Sequence, residues 1–148
     1  RCLATRSTAR LGMAMHGVAI RSAEWQRKAR RGFLMIELEL PYPPSVNHYY
    51  RRVGPRTLIS REGRRFRARV LSVLAAYGLR PFAGPLAVQV EIYPPDRRRR
   101  DIDNVQKGLF DALQHGGVYR DDSQVIRLVI EKRGCVPGGR TIVRIQEA

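Results

Sequence analysis

Residues 86–115 read LAVQVEIYPPDRRRRDIDNVQKGLFDALQH, and two successive periodicities in this stretch decide the fold. Leu86, Val88, Val90 and Ile92 alternate with other residues up to Tyr93, the period-2 pattern of a strand with one face turned inward. Pro94-Pro95 ends it, because proline cannot donate to a ladder. Asp96 to Asp101 is too charged to enter a core. From about Asp103 to His115 the period changes: Val105, Leu109, Ala112 and Leu113 fall on one helical face, and Gly116-Gly117 form a stop.

Outward from this unit the pattern stays regular. Ile36-Glu37-Leu38-Glu39-Leu40 alternates strictly and reads as a strand that Pro41 to Pro44 terminates. Ser45 to Ile59 reads as a long basic loop carrying Tyr49 and Tyr50. Ser60 suits an N-cap, and Phe66, Val70, Val73, Leu74 and Tyr77 mark the inner face of a helix that Gly78 ends. Arg61, Arg64, Arg65, Arg67 and Arg69 fall mostly on its other sides. Downstream, Val125 to Glu131 and Arg140 to Ile145 read as strands joined through a hairpin at Gly134 to Gly139. The expected architecture is a small single α/β (α+β) domain. It has a four-stranded mixed sheet and two helices on one face, in the order β-α-β-α-β-β. Val125, Ile126, Leu128, Val129 and Ile130 make one strand apolar on both faces, which predicts a dimer partner on one of them.

Composition narrows the partner. The chain of 148 residues holds 28 Lys+Arg against 13 Asp+Glu, a formal net charge of +15. The basic residues are almost all arginine, with lysine only at Lys28, Lys107 and Lys132. Such a balance points to a polyanion. Two cysteines exclude a disulfide-stapled scaffold and a cysteine-based zinc finger, and no apolar run approaches a membrane span of about 20 residues. Residues 1–34 are strongly basic, with Glu24 their single acid, and show neither strand nor helix patterning. They read as a basic N-terminal extension, disordered or upstream of a true start at Met35. A phosphate-touching arm or a transit-like segment are the alternatives. Residues 35–148 form the domain.

Asp101-Ile102-Asp103-Asn104-Val105-Gln106-Lys107 carries the most chemistry. In extended backbone the side chains of Asp101 and Asp103 point the same way, Asp103 can cap the helix, and Lys107 lies one turn beyond Asp103. Clustered carboxylates need a compensating cation: the adjacent Arg97 to Arg100, or a hard divalent ion. If the turn carrying Asp121-Asp122 returned to the same end, three or four carboxylates would suit metal-assisted phosphodiester hydrolysis, with Lys107 orienting water or stabilising charge. Spacing leaves the plainer reading equally open, with Asp103 a cap, Lys107 paired to Asp103 or Asp111, and Asp121-Asp122 an ordinary turn.

Longer motifs add to this. Leu40-Pro41-Tyr42-Pro43-Pro44-Ser45-Val46-Asn47-His48-Tyr49-Tyr50, then Pro95 to Asn104, then Lys107, Phe110 to Leu113 and Asp121 to Val125 follow in order. Residues 35–148 resemble the RusA family of Holliday junction resolvases. The resemblance implies that Asp101, Asp103 and Asp122 are metal-binding catalytic acids, that Asp121 assists, and that Lys107 is the catalytic lysine. It implies a cytoplasmic, Mg2+-dependent homodimer, bacterial or phage-encoded, with Mn2+ as substitute. Such a dimer cuts four-way DNA symmetrically, without a small-molecule cofactor or a membrane. Arg97, Arg98, Arg99, Arg100, Asn47, Tyr49, Tyr50 and Asn104 are the DNA-facing candidates. The tyrosines suit base stacking and core packing about equally, and His48 stands where a more basic residue is expected. A non-catalytic DNA- or RNA-binding protein, or a nuclease for other branched DNA, are the alternatives.

Overall fold

The computed structural model describes residues 35–148; the expectations for residues 1–34 lie outside the described residues. Strands β1 (Met35–Pro41), β4 (Leu86–Tyr93), β5 (Val125–Lys132) and β6 (Arg140–Glu147) form one sheet in the order β1-β6-β4-β5. β4 and β5 run parallel and the other neighbours antiparallel, so the sheet is mixed; β5 and β6, expected to pair as a hairpin through Gly134 to Gly139, are not neighbours, because β4 lies between them and pairs with both. A parallel pair needs a crossover, and helix α3 (Asp103–His115) supplies it between β4 and β5. Helix α2 (Arg61–Tyr77) precedes β4.

Both long helices cover one face of the sheet. Phe66, Val70 and Leu74 of α2 and Val105, Leu109 and Leu113 of α3 are buried with Leu38, Leu40, Val88, Val90, Val143 and Ile145. The opposite face carries charge: the cross-strand register sets Glu37 beside Arg144 and Glu39 in the row of Ile142, Glu91 and Glu131. Arg144 bridges Glu37 at 2.7 Å and Glu91 at 3.1 Å, and Arg133 bridges Glu91 at 3.0 Å. Burial of Glu91 pulls its pKa up, but the hydrogen bonds from Arg144, Arg133 and Tyr93 outweigh it and leave the carboxyl below its ordinary value.

Residues 45–59 depart from the long loop expected of them. Val46–Tyr49 is a short helix, α1, and β2 (Tyr50–Val53) pairs with β3 (Arg56–Ile59) in a separate hairpin. Gly54, at φ 59°, supplies the positive dihedral such a turn needs before Pro55. Arginines on both strands and exposure of both faces erase the apolar alternation that would have shown the hairpin. Among the described residues there are therefore three helices, not two, and the element order gains a hairpin before α2.

Tyr49 is fully buried. Its ring meets Tyr50 and Phe66 edge-on, and Arg67 Nε donates to its hydroxyl at 3.3 Å. Two glycines permit this: a Cβ at Gly108 would stand 2.8 Å from the Tyr49 ring, and one at Gly63 would strike the Tyr49 carbonyl. Of the two readings of this tyrosine, core packing is correct and base stacking is not. The α2 cap is as expected, with Ser60 Oγ accepting from Gly63 N at 2.9 Å. Tyr77, expected on the inner face of α2, is half-exposed near the C-terminal end of the helix.

Candidate active site and nucleic-acid groove

α3 begins at Asp103, not after it: Ile102 occupies the N-cap position in helical conformation (φ −64°, ψ −40°) and makes no side-chain cap. Asp103 thus sits in the first turn, where its Oδ1 accepts from Asn104 N at 2.9 Å and the positive end of the helix faces it. Because the backbone at Ile102 is not extended, Asp101 and Asp103 do not share a direction. Asp103 and Lys107 line a cavity of about 400 Å3, together with Asp122, Gln106, Phe110 and Leu128. Asp101 instead lines an adjoining groove of about 830 Å3 with Asn47, Arg99, Arg100 and Asn104. The start of α3 divides the two.

Lys107 pairs one turn onward with Asp111, Nζ to Oδ1 3.5 Å. Burial, then the charge of Asp122, raise the pKa of Asp111. Asp111 therefore adds a third carboxylate to this neighbourhood. Its spacing from Lys107 was visible in the sequence, but its proximity to Asp122 depends on the returning chain. Tyr119 is buried behind them and donates from its hydroxyl to Phe110 O at 3.0 Å. Burial and the neighbouring Asp122 push its phenol far above the ordinary range.

Asp121 and Asp122 have divided tasks. The Asp121 carboxylate accepts from Ser123 N at 2.8 Å, a bond that starts the short 3-10 turn Asp122–Gln124, and the Ser123 side chain, then this amide, lower its pKa. Asp122 is the one lining the cavity. The turn is held by Gln124, a residue to which sequence reasoning gave no role. Its Oε1 accepts from Arg120 N and Asp121 N at 2.8 and 3.1 Å, and its Nε2 donates to Phe82 O and Gly84 O at 3.0 and 2.9 Å. One side chain thereby clasps the Asp122 turn to the segment entering β4. The only hint in the sequence was a glutamine three residues after an aspartate, the spacing of a capping box.

Of the arginine run, Arg97, Arg98 and Arg99 are exposed. Arg100 is held by Asp96, Nη2 to Oδ2 2.9 Å, and this partner with the Arg98 N–H holds the Asp96 carboxyl well below the usual carboxylate range. His48 and Asn47 are exposed on the groove, where His48 Nδ1 lies 2.9 Å from Ser45 Oγ. Tyr50 is half-buried against the core.

A cavity lined by Asp103, Lys107 and Asp122 thus lies beside an arginine-lined groove. The sequence profile of the family described as Endodeoxyribonuclease RusA matches residues 41–146. The crossover junction endodeoxyribonuclease of Enterobacteria phage 82 is 42% identical over 111 residues, covering 74% of this chain and 92% of the relative. That of Escherichia coli strain K12 is 41% identical over the same length, with the same shares. That of Enterobacteria phage HK97 is 41% identical over 109 residues, covering 73% and 91%. The chain belongs to the RusA family of endodeoxyribonucleases.

Proposed function

We propose that the chain is a Mg2+-dependent endonuclease that resolves four-way DNA junctions by phosphodiester hydrolysis, working as a homodimer in the bacterial cytoplasm. The observation that carries this reading is the meeting of Asp103, Lys107 and Asp122 on one cavity beside a basic groove, in a chain of this family.

The donor set suits a hard divalent ion. Asp103 and Asp122 are exposed carboxylates, and oxygen donors are what Mg2+ prefers. Among the described residues no three acids, histidines or cysteines are grouped closely enough to cage an ion unaided. That is compatible with Mg2+, which keeps several waters and uses one or two carboxylates plus substrate phosphate. Asp103 and Asp122, which share the cavity, would hold it; Asp101 lines the adjoining groove and is proposed for the set on the family resemblance alone. When bound, the ion supplies Lewis acidity toward the phosphoryl oxygens and a more acidic water.

The protein's own groups do the rest. Arg97, Arg98 and Arg99 draw a phosphate toward a carboxylate cluster that would otherwise repel it. Asp111 tethers Lys107 so that its ammonium stays at the cavity, where it opposes charge developing on the phosphate. Asn104 and Asn47 offer amide donors to the strand in the groove. A homodimer fits the two-fold symmetry of a four-way junction. β5, an edge strand with Ile126 67% and Val129 38% exposed, offers apolar surface for a partner copy.

The test is cleavage by the purified full chain of a synthetic four-way junction, set against linear duplex and single strand, with Mg2+ and with chelator. Paired symmetric nicks in the junction alone, and only with the metal, support the reading. Tight junction binding with no cutting under Mg2+ or Mn2+ would replace it with a non-catalytic binding protein.

A further inference from the structure

α2 carries its charge where a helix tolerates it least. Arg61, Arg64, Arg65, Arg67 and Arg69 all stand in its N-terminal half, against one acid, Glu62, and its last turn holds no basic residue. Cations belong near a helix C-terminus, and like charges four residues apart cost about 0.2–0.5 kcal/mol per pair. Arg61, Arg65 and Arg69 repeat this i, i+4 conflict twice, and among the described residues none of the three has an ion-pair partner. Folding alone gives no reason for the arrangement; an external polyanion does.

The three arginines form one stripe, about 6 Å apart along the axis at four residues per step. All are exposed and all line the groove of about 830 Å3 to which Arg99 and Arg100 also contribute, five arginines against the two acids Glu62 and Asp101. Arg100 is engaged by Asp96, which leaves the α2 stripe and Arg99 as the available cations. Arginine is the side chain best shaped for bidentate phosphate contact. The groove ends at the start of α3, beyond which the carboxylate cavity opens.

We infer that Arg61, Arg65 and Arg69, with Arg99, form a phosphate track that carries one DNA strand of the substrate along α2 to the cavity. The inference rests on the proposed nuclease reading and assigns a surface that reading leaves blank. The track binds backbone and reads no bases, so it acts on affinity and placement, not on the chemical step.

The experiment compares two double variants of the full chain with equal charge loss: Arg65→Gln with Arg69→Gln in the groove, and Arg56→Gln with Arg80→Gln, exposed residues that do not line it. Four-way junction binding is measured without divalent metal across a salt series. The groove variant lowers the slope of log affinity against log salt by about 1.4–1.8, because each lost phosphate contact removes about 0.7–0.9. The control lowers it by less than about 0.5. Equal slope changes in the two variants, or none in the groove variant, overturn the track. A wild type that binds the junction but never cuts it removes the nuclease reading instead and leaves the binding comparison to judge the stripe.

Discussion

Replacing Gln124 with alanine removes four hydrogen bonds at once: two donated to Phe82 O and Gly84 O, two accepted from Arg120 N and Asp121 N. The side chain is half-buried, and the bonds to the β4 entry span 40 and 42 residues of sequence, so no local interaction replaces them. Each such bond contributes about 0.5–1.5 kcal/mol net. Water reaches the exposed Arg120 and Asp121 amides more easily than the carbonyls at the β4 entry. The accounting therefore gives a loss of about 2–3 kcal/mol, measured as the shift in urea midpoint times the slope. The second consequence is local. Asp122 is the first residue of the turn that Gln124 fastens, so direct Mn2+ binding weakens by a larger factor than junction binding in chelator does. Gln124→Glu separates the halves: it keeps the acceptors but sets a carboxylate against two carbonyls, and is at least as damaging as alanine. A Gln124→Ala protein with a stability loss under about 0.5 kcal/mol and unchanged Mn2+ affinity would refute the clasp.

Gly108→Ala places a methyl group 2.8 Å from the buried Tyr49 ring and lowers unfolding stability by about 1–3 kcal/mol in urea titration, with no change in metal dependence. Glu91 has a folded pKa below its ordinary 4.5, so its contribution to stability is present above that value and is lost as pH falls through the lowered folded pKa. Urea midpoints measured from neutrality downward therefore fall less steeply with acid in Glu91→Gln, which starts out less stable at neutral pH. Lys107→Ala lowers the single-turnover cutting rate by about 10²-fold or more and junction affinity by less than about threefold. An equal loss in both would make it a plain phosphate anchor.

The strand ending at Tyr93 and the helix from Asp103 to His115 were legible because each keeps a single period, 2 and then 3.6, with buried residues at the expected positions. The hairpin over residues 50–59 was not, because Arg51, Arg52 and Arg56 lie on an element with no buried face, and periodicity reports only burial. At the site, Lys107 and Asp103 were legible as one helical turn. The relation of Asp101 to Asp103 was misread because it assumed extended backbone, whereas Ile102 is already helical and turns Asp101 toward the groove. Asp122 reaches the cavity through long-range bonds from Gln124 and the bridge between Phe82 and Tyr119, and no local pattern encodes such contacts. Tyr49 illustrates the same limit: its burial depends on the absent side chains of Gly63 and Gly108, the latter 59 positions away.

The sharpest test removes a single charge where the returning chain meets the helix. Asp122→Asn in the full chain, given a labelled four-way junction and Mg2+ under single-turnover conditions, is predicted to leave the junction uncut while binding it as tightly as wild type or more so. Cutting by Asp122→Asn at the wild-type rate would contradict the account, because the cavity shared by Asp103, Lys107 and Asp122 would then not be where the phosphodiester is broken.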